Sequence, residues 1–122
     1  MKVFTLVALL LGSQVHAQTE SKAFPTEAEQ LSATALQEIV GGKSFSFKFI
    51  NGTYWTWNFN SNGYFNFRTS DGFQDTGKWN IKESTLCTDG RRINASCNEI
   101  RKQGAQLFFK RDNGDVIEMV PQ

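Results

Sequence analysis

The chain has 122 residues, thirteen basic and twelve acidic side chains and a formal net charge of +1. A balance so close to neutral provides no broad basic footprint for nucleic acid. The length suits one small domain, and a single histidine with two cysteines leaves little material for metal or acid–base chemistry.

In chain order, the first seventeen residues have the form of an export signal: Lys2 is the positive start, residues 3–11 are an apolar run, and Val15 and Ala17 are small residues spaced for cleavage. Cleavage after Ala17 is expected, giving a periplasmic or secreted domain of 105 residues with twelve basic and twelve acidic groups. The apolar run is too short to span a bilayer, and no cysteine follows it to take a lipid, so no membrane anchor is expected. Residues 18–25 are polar and read as a flexible segment, and 26–122 as a single helix-plus-barrel domain.

A helix is predicted from Thr26, which can cap it, with Glu29 completing a capping box. Leu31, Ala35, Leu36, Ile39 and Val40 form an apolar stripe at helical spacing, and Gly41 and Gly42 end it. Such a helix is expected across an open end or an edge of the β domain; the alternative is a helix offered to the groove of a partner.

Ten of the sixteen aromatic residues then fall between Phe45 and Phe67. Phe45, Phe47 and Phe49, then Trp55, Trp57 and Phe59, then Phe65 and Phe67 alternate with other residues, the period of half-buried strands. Strands are predicted at 44–50, 53–60, 63–69, 77–82, 85–88, 96–101, 105–110 and 116–120, separated by Asn-Gly, Asp-Gly and related turn formers. The fold class is therefore mainly β: an N-terminal helix followed by an up-and-down antiparallel meander, closed or nearly closed into a barrel.

The first hairpin has two possible registers. A two-residue Asn51-Gly52 turn sends Trp55 and Trp57 to the face opposite the phenylalanines, whereas a three-residue loop or a bulge gathers all the rings on one face. We favour the odd loop, because it buries the aromatics together.

Cys87 and Cys97 flank the turn-rich stretch from Asp89 to Arg92, and in an oxidising compartment they read as a disulfide between facing strands. Their spacing is not that of a redox pair, and without histidine two thiols cannot complete a zinc site.

The order of short motifs resembles a family of small exported proteobacterial proteins of unknown function with a lipocalin-like β domain. Those motifs are Gly42-Lys43-Ser44-Phe45, Trp57-Asn58-Phe59, Asn62-Gly63-Tyr64-Phe65, Gly77-Lys78-Trp79, Leu86-Cys87 and then Cys97, together covering about two thirds of the chain. The first three strands depart from the family pattern in their density of phenylalanine and asparagine. The resemblance implies a scaffold and no catalytic set.

His16, the only histidine, leaves with the signal, which excludes Ser-His-Asp and Cys-His nucleophile systems from the mature domain. Carboxylate chemistry remains. Asp71 with Asp75, and Asp112 with Asp115, could serve as acid and base or as calcium ligands, although aspartate beside asparagine and glycine is the ordinary composition of a tight turn. Arg91, Arg92, Arg101, Lys102, Lys110 and Arg111 form a local basic cluster that could hold an anion.

The leading expectation is a monomeric, non-catalytic binding module without cofactor or metal. Trp55, Trp57, Phe65, Phe67 and Trp79 would line a site for an apolar or amphipathic small molecule. Rings of this bulk could instead fill the barrel as solid core. The alternative function is a cell-envelope interaction module that docks a partner protein through its end loops, with Phe73 as anchor.

Overall fold

The computed structural model describes residues 21–122; the expected export signal and its cleavage point lie outside the described residues. In chain order the elements are β1 (Glu29–Gln30), α1 (Ala33–Val40), β2 (Lys43–Lys48), β3 (Tyr54–Phe59), β4 (Tyr64–Thr69), β5 (Gln74–Lys82), β6 (Thr85–Gly90), β7 (Ser96–Gln103), β8 (Gln106–Lys110) and β9 (Val116–Pro121). From β2 onward each strand pairs antiparallel with the next, and β9 returns to β2 with Phe45 opposite Pro121 and Ser46 opposite Val120. The result is a closed, eight-stranded up-and-down barrel of lipocalin-like architecture, with β1 as an extra strand. Among the described residues no helix is long and apolar enough to cross a membrane.

Loop length decides which side chains face the interior. Four hairpins use the same three-residue loop: Ile50-Asn51-Gly52, Ser61-Asn62-Gly63, Ser70-Asp71-Gly72 and Asp112-Asn113-Gly114. In each, the glycine sits at φ between 91° and 101°, a region that side-chain-bearing residues rarely adopt. Its N–H donates to the carbonyl just before the loop, at 2.8 to 3.1 Å. The Asn or Asp preceding the glycine accepts an N–H from two residues further on, so the side chain braces its own turn.

Because three is odd, the inward parity survives each of these loops. Phe45 therefore lies opposite Trp57 and Phe47 opposite Trp55, and odd-numbered rings face inward from β2 through β5. The first hairpin thus takes the odd loop, which collects Phe45, Phe47, Phe49, Trp57, Phe59, Phe65, Phe67 and Trp79 into one buried cluster. Two shorter turns break the rule. Lys82 pairs with Thr85 and Gln103 with Gln106, and each two-residue turn exchanges the faces. Leu86, Thr88, Asn98 and Ile100 consequently face inward on even numbers, and Leu107, Phe109, Ile117 and Met119 on odd ones.

The helix begins later than its capping box suggested. Ser32, not Thr26, caps α1, its Oγ accepting the N–H of Ala35 at 3.1 Å. Glu29 and Gln30 instead form β1 against Lys102 and Arg101 of β7. The reason is tertiary: β6 pairs with β7 only as far as Glu99, leaving an unpaired edge that the segment before the helix fills. Gln30 donates to the Glu99 carboxylate at 2.9 Å, and Arg101 Nε does so at 2.8 Å, so the graft is also held by side chains. Ser21, expected within a flexible segment, pairs with Val116 on the barrel wall.

Helix α1 packs against β2, β5 and β6, strands from different parts of the barrel wall, and so lies across one end. Leu36 and Val40 are fully buried there. Gly42, at φ 76°, turns the chain into β2 and donates its N–H to Phe59 at 2.7 Å.

Candidate functional site

With one end plugged by α1, the functional question concerns the other. The loops after β2, β4, β6 and β8 gather there, and the interior opens into a cavity of about 580 Å³. One wall is aromatic, built by Trp55, Trp57, Phe59 and Phe67 on β3 and β4 with Phe109 on β8. The facing wall on β6 and β7 carries the smaller, polar Thr88, Ser96 and Asn98. Side chains therefore fill the barrel under the helix, and a concavity open to solvent enters it from the loop end.

The opening follows from a split in the sheet. Strand β8 pairs with β7 only from Ile100 to Gln103, and beyond Phe109 the two strands part. Asn98 bridges the gap, its Nδ2 donating to the Lys110 carbonyl at 2.9 Å and to the Asp112 carboxylate at 2.8 Å, while its Oδ1 accepts Ser96 Oγ at 3.0 Å. A side-chain amide thus replaces ladder hydrogen bonds at the cavity mouth.

The mouth carries two guanidinium groups set on aromatic faces. Arg92 lies over Phe73 at 4.3 Å and donates to the Gln74 carbonyl at 3.0 Å. Arg111 lies 5.0 Å from both the Phe49 and Trp55 rings, with the Asp115 carboxylate 3.9 Å from its Nη1. Stacking fixes such groups at low entropic loss while leaving their outer N–H groups available. The six-residue basic cluster does not form one patch: Arg101 stacks on Phe24 on the outer wall, and Lys110 approaches the same ring.

Asp75 holds the mouth loop in place. It is 5% exposed and faces inward from β5, which begins at Gln74 rather than at the expected Gly77 and so takes in this residue. Its Oδ1 accepts the N–H of Thr76 at 2.9 Å, and its Oδ2 accepts those of Arg92 and Ile93 at 3.0 and 2.9 Å. Burial alone would raise its pKa; the backbone N–H groups of Ile93, Arg92, Thr76 and Arg91 outweigh burial and hold the carboxyl below its usual range. Room for this carboxylate comes from Gly90, where a Cβ would collide with Asp75 Oδ2. Asp89 and Gly90, expected from their composition to form a turn, instead extend β6 opposite Lys78 and Gly77, because the ladder with β5 continues through them; that the glycine makes space for a distant aspartate was not legible.

Two further carboxylates brace loops. Asp71 is exposed at a hairpin tip, where the Thr69 hydroxyl and the Phe73 N–H lower its pKa, and Asp115 is lowered first by its bond to Lys22. Asp71 and Asp75 therefore occupy different environments, one exposed at a hairpin tip and one buried in the barrel wall. No group of three His, Cys, Asp or Glu side chains among the described residues is placed to hold a metal.

Of the five rings proposed as lining, Trp55, Trp57 and Phe67 border the cavity. Phe65 and Trp79 do not. They sit at the closed end, 0% and 5% exposed, with Trp79 Nε1 donating to the Asn60 carbonyl at 2.9 Å. Phe73 is no free loop tip: it opens the approach to β5, packs on Phe67 at 6.1 Å and is half-buried beneath Arg92. Cys87 and Cys97 are disulfide-bonded directly across β6 and β7, on the outward side of the wall. A second concavity, about 610 Å³, lies along exposed Asn66, Arg68, Gln74 and Thr76 on the outside of β4 and β5. Its lining offers less apolar surface than that of the interior cavity, which is the better candidate.

Compared with known protein families, curated proteins and solved structures, the chain matches none.

Proposed function

We propose that this protein is an exported, non-catalytic binding module that holds an apolar or amphipathic small molecule in the barrel cavity. The observation that carries the reading is the asymmetric interior: a helix closes one end, and a ring-walled cavity of about 580 Å³ opens at the other. Cavities of several hundred Å³ with apolar walls and a few polar groups are the usual form of small-molecule sites. The cross-strand disulfide and the resemblance to small exported proteobacterial proteins support export, and a mature N-terminus at Gln18 in secreted or periplasmic material would test that part.

The non-catalytic reading rests on the side chains that could take part in bond-breaking. The carboxylate that lines the cavity, Asp112, accepts the Asn98 amide at 2.8 Å. Both cysteines are in the disulfide, and Asp75 is kept ionised and enclosed by backbone N–H groups, so it has no proton to give near neutral pH. The alternative, an envelope partner docking on the end loops, has no exposed ring at Phe73 to use as an anchor. Titration of the mature protein with lipids and aromatic metabolites, followed by tryptophan fluorescence, should give saturable changes reported by half-buried Trp55. A flat response to the whole panel, together with recovery of one specific envelope protein by pull-down, would replace this reading with the alternative.

A further inference from the structure

We infer that the cavity selects a flat, ring-bearing molecule carrying a carbonyl-type oxygen, and that Trp57 Nε1 donates the hydrogen bond that recognises it. The inference rests on the binding-module reading above and names the class of ligand.

Trp57 is 6% exposed and lines the cavity, yet its Nε1 is buried without a protein acceptor. It is the one buried side-chain nitrogen or oxygen among the described residues in that state. The contrast with Trp79 is informative, because that equally buried indole is satisfied by Asn60. Burying an N–H without an acceptor is unfavourable and calls for an explanation such as a ligand.

The surroundings say what kind of acceptor is missing. Phe59 stacks on Trp57 with 9° between the ring planes, and Phe67 lies 4.3 Å away, so protein rings cover the β3 and β4 side. A molecule entering from the mouth meets Trp57 from the cavity side, among flat apolar surfaces, and reaches the enclosed Nε1 by displacing neighbouring side-chain atoms. Rings suit that environment by stacking. An oxygen acceptor on such a body satisfies the indole N–H at the moment the ligand excludes water. A pure hydrocarbon of the same shape leaves it unpaired.

The test uses a matched pair of probes, fluorene and 9-fluorenone, which share shape and differ in one ketone oxygen. The wild-type protein should bind fluorenone about tenfold more tightly, as one buried hydrogen bond predicts. In Trp57→Phe, which keeps a ring and removes the donor, the preference should fall to near unity. In the wild type, the Trp57 indole N–H resonance, assigned through its contacts with Phe59 and Phe67, should move downfield with fluorenone and not with fluorene. That readout decides the matter should the variant fail to fold. Equal binding of both probes, or a preference that survives in Trp57→Phe, overturns the inference and leaves the binding-module reading standing. Failure of both probes to bind overturns the inference and counts against that reading too.

Discussion

Replacing Asp75 with asparagine tests whether one buried carboxylate organises the mouth of the barrel. Asparagine has nearly the same shape but one acceptor oxygen in place of two. If that oxygen stays on the Arg92 and Ile93 N–H groups, the new NH2 must face the Thr76 N–H that Oδ1 accepts at 2.9 Å. One charge-assisted bond is lost outright and two are weakened. With each such bond contributing roughly 1.5–3 kcal/mol, the net loss at neutral pH should be about 2–3 kcal/mol. For a domain of this size that is about 10–20 °C in Tm. The sign of the pH dependence follows from the lowered pKa of the folded carboxyl. Its stabilisation is complete above the unfolded value, about 3.9, and is lost as pH falls through the folded value. Urea melts of wild type and Asp75→Asn should therefore diverge at pH 7 and converge as the pH is lowered from about 5 toward about 2. A variant within about 0.5 kcal/mol of wild type at pH 7, or a gap that acid does not narrow, would refute the assignment.

Two further variants probe the same hairpin. Removing the disulfide with Cys87→Ser and Cys97→Ser, ten residues apart, should cost roughly 2–3 kcal/mol in a denaturant melt, mainly by freeing the unfolded chain. An unchanged midpoint would show that pairing of β6 with β7 alone fixes the loop. Gly90→Ala places a methyl against Asp75 Oδ2 and 2.6 Å from Ile93 Cγ1, and about 1–3 kcal/mol of destabilisation is expected in thermal melts, with weakened probe binding as the mouth loop shifts. A stabilised Gly90→Ala would mean that glycine is there for no steric reason.

Local pattern carried most of the architecture. Eight strands, their inward rings and their turn residues were legible because alternation and Asn-Gly or Asp-Gly chemistry are properties of neighbours in the chain. The cross-strand disulfide was legible for the same reason, since Cys87 and Cys97 flank a single hairpin. The helix start was misread because a good capping box at Thr26 and Glu29 competes with an open edge on β7, far away in sequence. The cavity residues were half legible. Trp55, Trp57 and Phe67 announce themselves by period, whereas Thr88, Ser96 and Asn98 read as ordinary polar strand residues until the short turn between β5 and β6 exchanges the faces.

What the chain alone determined is a ring-faced meander that must bury one side. Closure, and with it the division between solid core and open cavity, was decided by contacts between distant segments: β9 returning to β2, α1 capping one end, β7 parting from β8 at the other, and Asp75 reaching the loop after β6. Alternation is imposed by the stereochemistry of adjacent residues. Which end of a barrel stays hollow depends on how much side-chain volume converges there, and that sum exists only once the strands have met.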